Sequence, residues 1–309
     1  MEKKILITVD GSIHTKYALK YAASMFAPEA NVQFTLFNVQ PFVSRYLMDE
    51  ARKDAEIHAQ LHAVNQRNAA RSMELLQTTK SRFVRFGVPE EKIETISWTR
   101  ALGHAKDILE YARRHMFNAV VVGRRGLSKA QKIFMGSTSA KIVEHADAMP
   151  LWIVDGDVQS RKILAAVDAS DTSSRIVDYL AIVLGKNPDV RLTFYHVYDD
   201  SRALITLDDS GLNADLSERI DRLQKNWIEQ FHATARERLN AAGIDNSQVK
   251  WVTTVRSERV PKMIMAYART HDFGTVVLGR RGSNDAFFTG RTAHYAAERM
   301  TDRTLWIVG

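Results

Sequence analysis

The sequence contains no cysteine among its 309 residues. Disulfide frameworks, CxxC redox sites, zinc ribbons and cysteine nucleophiles are therefore excluded, and a reducing compartment is expected. Proline and glycine are also few, at 6 and 15 residues, which excludes collagen-like and low-complexity chains. No apolar run approaches the roughly 18 residues of a membrane span, and residues 1–10 hold no signal-peptide apolar core. We therefore expect a cytoplasmic globular protein without a membrane-spanning segment.

The overall amino-acid composition is that of an ordinary globular protein. Hydrophobic residues make up 45% and charged residues 26%, and the formal net charge is +7. The basic excess is spread along the chain rather than gathered in an arm, which is typical of a solvated surface. No nucleic-acid recognition motif accompanies it, so a specific nucleic-acid partner is not expected.

The chain contains an internal repeat. Three stretches of the first half return in the second half in the same order, which indicates a duplicated domain of roughly 150 residues. The matches are KKILITVDGS at 3–12 with RKILAAVDAS at 161–170, VVVGRRG at 120–126 with VVLGRRG at 276–282, and LWIV at 151–154 with LWIV at 305–308. We expect one domain at residues 1–156 and a second at residues 157–309.

Within the first repeat, short apolar runs alternate with longer segments of helical spacing. The runs predict five strands at residues 5–9, 32–39, 93–98, 119–122 and 151–154. Such alternation favours parallel βαβ units, so each repeat is predicted to be a doubly wound α/β domain. Ligands of such folds bind outside the carboxyl ends of the strands, where the winding direction reverses.

Small and polar residues follow the first and fourth predicted strands. Asp10 ends the first strand, and Gly123 begins a GxxG turn after the fourth, followed nine residues later by Gly136 and Ser137. Glycine lets the backbone approach a phosphate, and a helix beginning at Ser137 would present free N–H groups to it. Taken singly, each glycine is better explained by a strand end or a turn, and Ser137 by a helix cap.

The combination GxxG, nine residues, then Gly-Ser resembles the nucleotide signature of the universal stress protein family. The opening ILITVDGS, the final MPLWIV and the repeat length extend this resemblance over both halves, as a tandem member. It implies the strand order 3-2-1-4-5 in each domain, an adenine nucleotide alpha-hydrolase-like fold, and bound ATP with or without magnesium, or AMP or ADP. The implied site consists of Thr8, Asp10, Gly11, Ser12, Val39, Val122, Gly123, Arg124, Arg125, Gly126, Gly136, Ser137 and Thr138.

The resemblance also implies a role for each part of this site. Asp10 would accept from the ribose or adenine, and the Val39 backbone would contact adenine, while the glycine-rich segments would hold phosphate. Asp10 has the alternative of an Asx turn that closes the strand. Arg124 and Arg125 carry guanidinium groups, which could bind phosphate oxygens. The alternative is that they form a solvated or inter-domain ion pair.

The second repeat departs from the motif. Asp168 keeps the acidic position and residues 279–282 keep the first turn, but only seven residues separate that turn from Gly290. Arg291 follows where the first repeat has Ser137, so a small capping hydroxyl is replaced by a long cation. We expect ATP in the N-terminal half and a degenerate site in the C-terminal half. Binding of a shorter anion such as AMP beside Arg291 stays an alternative.

The matching LWIV strands predict how the halves associate. Members of the family commonly pair their last strands, and an exposed apolar edge is a liability unless it is paired. We therefore expect an intramolecular pseudo-dimer along residues 151–154 and 305–308, with Trp152 and Trp306 nearby. A homodimer of tandem chains is an alternative, and a protein partner is expected but not identified.

Other readings of the chain were weighed. His58 and His62 stand at i and i+4 on a predicted long helix at residues 47–85; this spacing suits zinc only with a third ligand, so no metal is predicted. No GxSxG, Walker, SGGxDS or HxGH motif occurs, so no catalytic residue is assigned and an enzyme is not expected. Slow ATP hydrolysis or adenylyl transfer remains an alternative. Another is a module for an apolar ligand or protein that uses the segment from Pro41 through the long helix and its counterpart Tyr198 to Leu239, in which residues 199–217 are predicted to be a mobile flap.

Overall fold

The fold was obtained as a computed structural model. It describes residues 2–26, 29, 31–41, 44–124, 137–146, 149–199, 212–280 and 291–309. The chain divides into two compact units, Met1–Asp157 and Val158–Gly309. Each unit is one copy of the sequence repeat and is an α/β domain.

The first unit is a doubly wound parallel sheet. Its strand order is β3-β2-β1-β4-β5 and every neighbouring pair is parallel. This confirms the predicted fold and strand order. In chain order the elements are β1 (Lys3–Thr8), α1 (Ile13–Phe26), β2 (Val32–Val39), α2 (Arg45–Ala51), α3 (Ala55–Arg85), β3 (Ile93–Trp98), α4 (His104–Arg114), β4 (Ala119–Gly123), α5 (Ser137–His145) and β5 (Leu151–Val154), with a 3-10 turn at Glu90–Lys92.

The strands are continuous apolar runs because helices cover both faces of the sheet. Residues 119–122 of β4 are buried without a break. Helices α1 and α3 contact each other on one face, and α4 and α5 contact each other on the other. The reversal of winding falls between β1 and β4, so their carboxyl ends border a crevice.

The helix predicted at residues 47–85 is wrong in one respect, because the structure has two helices there. The first is α2, and a new helix α3 begins after Asp54, whose carboxylate accepts from the N–H groups of Glu56 and Ile57. An aspartate in this position favours a helix start over continuation of the preceding helix. In α3 the buried positions are Ser72, Leu76, Thr79 and Phe83, a spacing that keeps one stripe of the helix against the sheet.

The second unit repeats the architecture, with strand order β8-β7-β6-β9-β10 and all neighbouring pairs parallel. Helix α7 begins at residue 212, so the end of the segment predicted as an irregular flap, residues 199–217, is helical, and residues 200–211 lie outside the described residues. The elements are β6 (Lys162–Val167), α6 (Asp171–Leu184), β7 (Arg191–Tyr198), α7 (Leu212–Ala241), β8 (Val249–Val255), α8 (Val260–Thr270), β9 (Thr275–Gly279), α9 (Arg291–Arg299) and β10 (Thr304–Val308), with a 3-10 turn at Asn246–Gln248.

The tryptophans of the two LWIV strands lie in the cores of their own units. Trp152 is fully buried, stacks on Phe26 and meets Tyr21 edge-on, while Trp306 meets Tyr179 edge-on. Association of the units through their last strands stays a prediction. Within the described parts of the chain, no helix is long and apolar enough to cross a membrane.

Candidate functional site

A cavity of about 820 Å³ opens in the first unit at the carboxyl ends of β1, β2 and β4. Helix α3 covers it on one side, and the starts of α4 and α5 border it on the other. The cavity brings together six residues of the predicted site, which are Thr8, Asp10, Val39, Val122, Gly123 and Thr138. The crevice predicted from the winding of the sheet is therefore present as a concave space lined by both strand ends and helix starts.

Asp10 closes β1 with an Asx turn. Its Oδ1 accepts from the N–H of Ser12 at 3.0 Å and from the hydroxyl of Thr15 at 2.7 Å, and its own N–H donates to that hydroxyl. The alternative weighed for Asp10 is thus real, but it occupies one carboxylate oxygen. No hydrogen bond to Oδ2 occurs among the described residues, so the turn orients the carboxylate and leaves Oδ2 as an acceptor at the cavity wall.

Two glycines permit close approaches around this turn. Gly11 has φ of +76°, a left-handed conformation that favours glycine, and a Cβ there would lie 3.3 Å from Leu75 of α3. A Cβ on Gly123 would lie 2.5 Å from the Cβ of His14 in α1. Gly123 therefore lets α1 pack against the end of β4, which is a structural task in addition to its place on the cavity wall.

A chain of side-chain hydrogen bonds fixes α3 over the strand ends. Asn38 donates to the carbonyl of Val9 at 2.7 Å and accepts from Ser72 at 2.7 Å, while Ser97 donates to Ser72 at 2.7 Å and accepts from Gln40 at 2.8 Å. Ser72 is buried, so this network satisfies its hydroxyl where no solvent reaches. It sets which residues of α3 face the cavity.

Helix α5 begins at Ser137, where the sequence predicted a helix start. Its next residues reach the site: Thr138 lines the cavity, and the hydroxyl of Ser139 donates to the carbonyl of Gly123 at 2.8 Å. The N-terminus of α5 is therefore tied to the end of β4. A helix N-terminus presents unbonded N–H groups and the positive end of the helix dipole, which suit an anion.

Arg124 differs from its predicted environment. Its Nη1 donates to Asp155 Oδ2 at 3.1 Å, and the two side chains are only 2% and 10% exposed. Arg124 does not line the cavity. A guanidinium that is buried in an ion pair is not available to a phosphate, so the structure disfavours the phosphate role that the resemblance implies for Arg124. Ser12 and Gly11 shape the turn without lining the cavity, and Arg125, Gly126 and Gly136 lie outside the described residues.

Three basic side chains that the sequence did not single out line the cavity. They are Arg71 on α3, Arg100 after β3 and His104 at the start of α4. Burial, followed by the positive charge of Arg100, lowers the pKa of His104, and Asp107 opposes this. His104 is therefore neutral at pH 7, and the fixed positive charge on the described cavity wall comes from the two arginines.

The loop that carries Arg100 is itself held in place. The buried carboxylate of Asp107 accepts from three successive backbone N–H groups, those of Ala101, Leu102 and Gly103, at 2.8–3.2 Å. Three charge-assisted hydrogen bonds of this kind fix a loop strongly. Asp107 therefore positions the segment between Arg100 and His104 without touching the cavity.

The second unit builds the same turn from different residues. Asp168 accepts from the N–H of Ser170 and from the hydroxyl of Ser173, but Ala169 takes the left-handed position with φ of 56°. His196 stands where the first unit has Asn38 and donates to the carbonyl of Val167 at 2.9 Å. Of the motif residues that depart from the first repeat, Gly290 and the side chain of Arg291 lie outside the described residues.

His58 and His62 are both exposed on α3. Across the described residues, no group of three or more histidine, aspartate or glutamate side chains is arranged to hold a metal ion. The third ligand that a zinc site at this pair would need is thus not supplied by the described part of the chain.

Two tandem doubly wound α/β domains, the first with a crevice of the nucleotide-binding type at its strand ends, define the class of the protein. The model of the universal stress protein family matches residues 1–155 and again residues 159–302. The chain therefore belongs to the universal stress protein family, with two copies of the domain, as the repeat predicted.

Solved structures agree with this fold. A universal stress protein from Archaeoglobus fulgidus DSM 4304 has 18% identity and a TM-score of 0.62, and the match covers 99% of this chain and 97% of that one. A protein of unknown function from Pseudomonas aeruginosa PAO1 has 13% identity and a TM-score of 0.58 over 99% and 92%. A search of curated proteins finds no match. At these identities the structural likeness establishes the fold alone.

Proposed function

We propose that the first unit binds ATP in the cavity at the carboxyl ends of β1, β2 and β4. The observation that carries the proposal is that this one cavity gathers Asp10, Val39, Gly123 and Thr138, the residues to which the motif assigns nucleoside and phosphate. Its volume of about 820 Å³ lies within the range of roughly 300–1,000 Å³ that ligand sites occupy.

The polar groups are ordered as a nucleotide requires. Oδ2 of Asp10 accepts from ribose hydroxyls or the adenine amino group, and the backbone at Val39 meets the base. The N-terminus of α5, beginning at Ser137, receives the phosphate chain. ADP and AMP suit the same arrangement of polar groups, with fewer phosphates at the start of α5. Magnesium would bind together with ATP, through the phosphates of the nucleotide.

The proposed role of the nucleotide is that of a regulatory ligand in a stress response. Among the described residues of the cavity wall, Asp10 is the one carboxylate, and its Oδ1 is engaged in the turn. Burial, followed by the positive charge of Arg100, lowers the pKa of His104, which makes it a weaker general base than an ordinary histidine. Contacts of phosphate with residues 126–136, which lie outside the described residues, would change the surface offered to a partner protein.

Calorimetric titration of ATP, ADP and AMP, with and without magnesium, into the full chain tests the proposal. We expect one ATP site per chain. The variant Asp10→Ala should bind at least tenfold more weakly, since a hydrogen bond to a charged group contributes about 1.5–3 kcal/mol.

The variant Asp168→Ala is the matched control, because it removes the same turn from the second unit. It should leave ATP affinity unchanged. Two equal sites per chain, or equal weakening by the two substitutions, would contradict the assignment to the first unit. Absence of binding to the wild type would move the search to an apolar or protein ligand.

A further inference from the structure

Arg100 lies on the opposite side of Asp10 from the phosphate end of the cavity. Across the sheet the order is β3, β2, β1, β4, so Arg100 after β3 and Gly123 after β4 stand three strand spacings apart. This is about 14 Å at roughly 4.8 Å per spacing. One phosphate group cannot reach both places.

The position of Arg71 follows from the packing of α3. The helix joins the parallel strands β2 and β3, so it runs from the carboxyl ends of the strands towards their amino ends. Leu75 packs at Gly11, directly after Asp10, and Arg71 lies one helical turn earlier, about 5.4 Å further beyond the strand ends. Arg71 therefore covers the Asp10 turn, where the proposed function places the ribose.

Arg71 has no structural task in the described part of the chain. It lines the cavity, it is exposed, and no ion pair that includes it occurs among the described residues. Arg124, in contrast, is buried against Asp155. Arg71 therefore adds to the nucleoside side of the cavity a fixed positive charge for which ATP alone has no counterpart, and Arg100 lies on the adjacent wall.

The described residues of the second unit do not repeat this arrangement. Trp227 corresponds to Arg71, because it precedes Phe231 by four residues as Arg71 precedes Leu75. Trp227 and Phe231 line a small cavity of about 200 Å³ beside Ala169. Arg256, which follows β8 as Arg100 follows β3, pairs with Asp199 at 3.1 Å. The unpaired cation over the first turn is thus a feature of the first unit's site in particular.

We propose that the cavity holds adenine nucleotides with a second phosphate on the ribose, at the 2′ or 3′ hydroxyl, and that Arg71 binds this phosphate with support from Arg100. A guanidinium group can donate two hydrogen bonds to two oxygens of one phosphate. In dinucleotide-binding folds, an arginine near the ribose accommodates a phosphate on the ribose hydroxyl. Asp10 then accepts from the remaining hydroxyl. This inference rests on the proposed adenine-nucleotide site.

The test compares two ribose bisphosphates with ADP, which has the same number of phosphates, and with AMP, which has one fewer. Adenosine 3′,5′-bisphosphate, adenosine 2′,5′-bisphosphate, ADP and AMP are titrated by calorimetry into the full chain and into Arg71→Gln. We expect one of the bisphosphates to bind at least tenfold more tightly than ADP. Arg71→Gln should remove at least tenfold of that affinity and change ADP and AMP by less than threefold.

Arg67→Gln is the matched control, because Arg67 is an exposed arginine one turn away on the same helix that does not line the cavity. It should change no affinity, and circular dichroism should show all variants equally helical. Bisphosphates that bind no more tightly than ADP would overturn the inference and leave the proposed function standing, as would equal weakening of ADP and bisphosphate by Arg71→Gln. If none of the nucleotides binds the wild type, the proposed function fails as well.

Discussion

The buried ion pair of Arg124 and Asp155 should be a main support of the first unit. Asp155→Ala leaves a guanidinium that is 2% exposed without its carboxylate. Breaking a buried pair on one side costs about 3–5 kcal/mol, and the lower end applies here because Arg124 keeps further contacts. Native-state hydrogen exchange of β4 and β5 in the full chain should therefore show protection reduced by about a hundredfold.

An exposed ion pair of the same unit provides the control. Lys20 and Asp157 lie 2.7 Å apart with side chains 39% and 45% exposed. Asp157→Ala should cost less than about 1 kcal/mol, or about fivefold in protection. Equal effects of the two substitutions would refute the reasoning from burial. Because Arg124 has a structural role, the ATP affinity of Arg124→Met should stay within about twofold of the wild-type affinity. A tenfold loss would indicate that Arg124 binds phosphate after all.

Two further predictions concern single side chains. Burial, with the charges of Arg236 and His196, lowers the pKa of His232 from 6.5 to about 4. The contribution of neutral His232 to the stability of the second unit is therefore fully present above pH 6.5 and is lost as the pH drops towards 4. We expect this loss to lower the free energy of unfolding by about 1–2 kcal/mol, a value reduced for the partial exposure of the ring. Urea unfolding at pH 7 and pH 5 should show this loss in the wild type and a flatter profile in His232→Gln; identical profiles would contradict it. Gly123→Ala should cost about 1–3 kcal/mol by forcing α1 from β4 at His14, and an unchanged melting temperature would contradict the close packing.

The fold was predictable because its signals are local and repeated. The five apolar runs of the first repeat became β1 to β5 with boundaries shifted by two residues at most. Runs such as residues 119–122 are apolar on both faces, and this feature is readable without tertiary information. The break before α3 was missed although its signal is present, since Asp54 is a favourable N-cap inside a proline-free segment.

The candidate site was predictable only where it coincides with strand ends. Asp10, Val39 and Gly123 follow apolar runs, so the topology alone brings them together. The ion pair of Arg124 with Asp155 could not be predicted because the two residues are 31 positions apart in the chain and come near only through the pairing of β4 with β5. Arg71 belongs to a helix whose register over the cavity is set by tertiary hydrogen bonds.

The polar network under α3 has a counterpart in the second unit that is built from different residues. In the first unit Asn38 links the end of β1 to Ser72, so the helix is held by small groups that leave space above the strands. In the second unit a histidine makes the same bond to the strand end, and His232 of α7 lies over Trp251 with ring centroids 4.0 Å apart. Both arrangements satisfy the carbonyl at the end of the first strand, as the fold requires. The first does so with small polar groups and the second with aromatic rings, so the two units hold the helix over the strand end by different side chains.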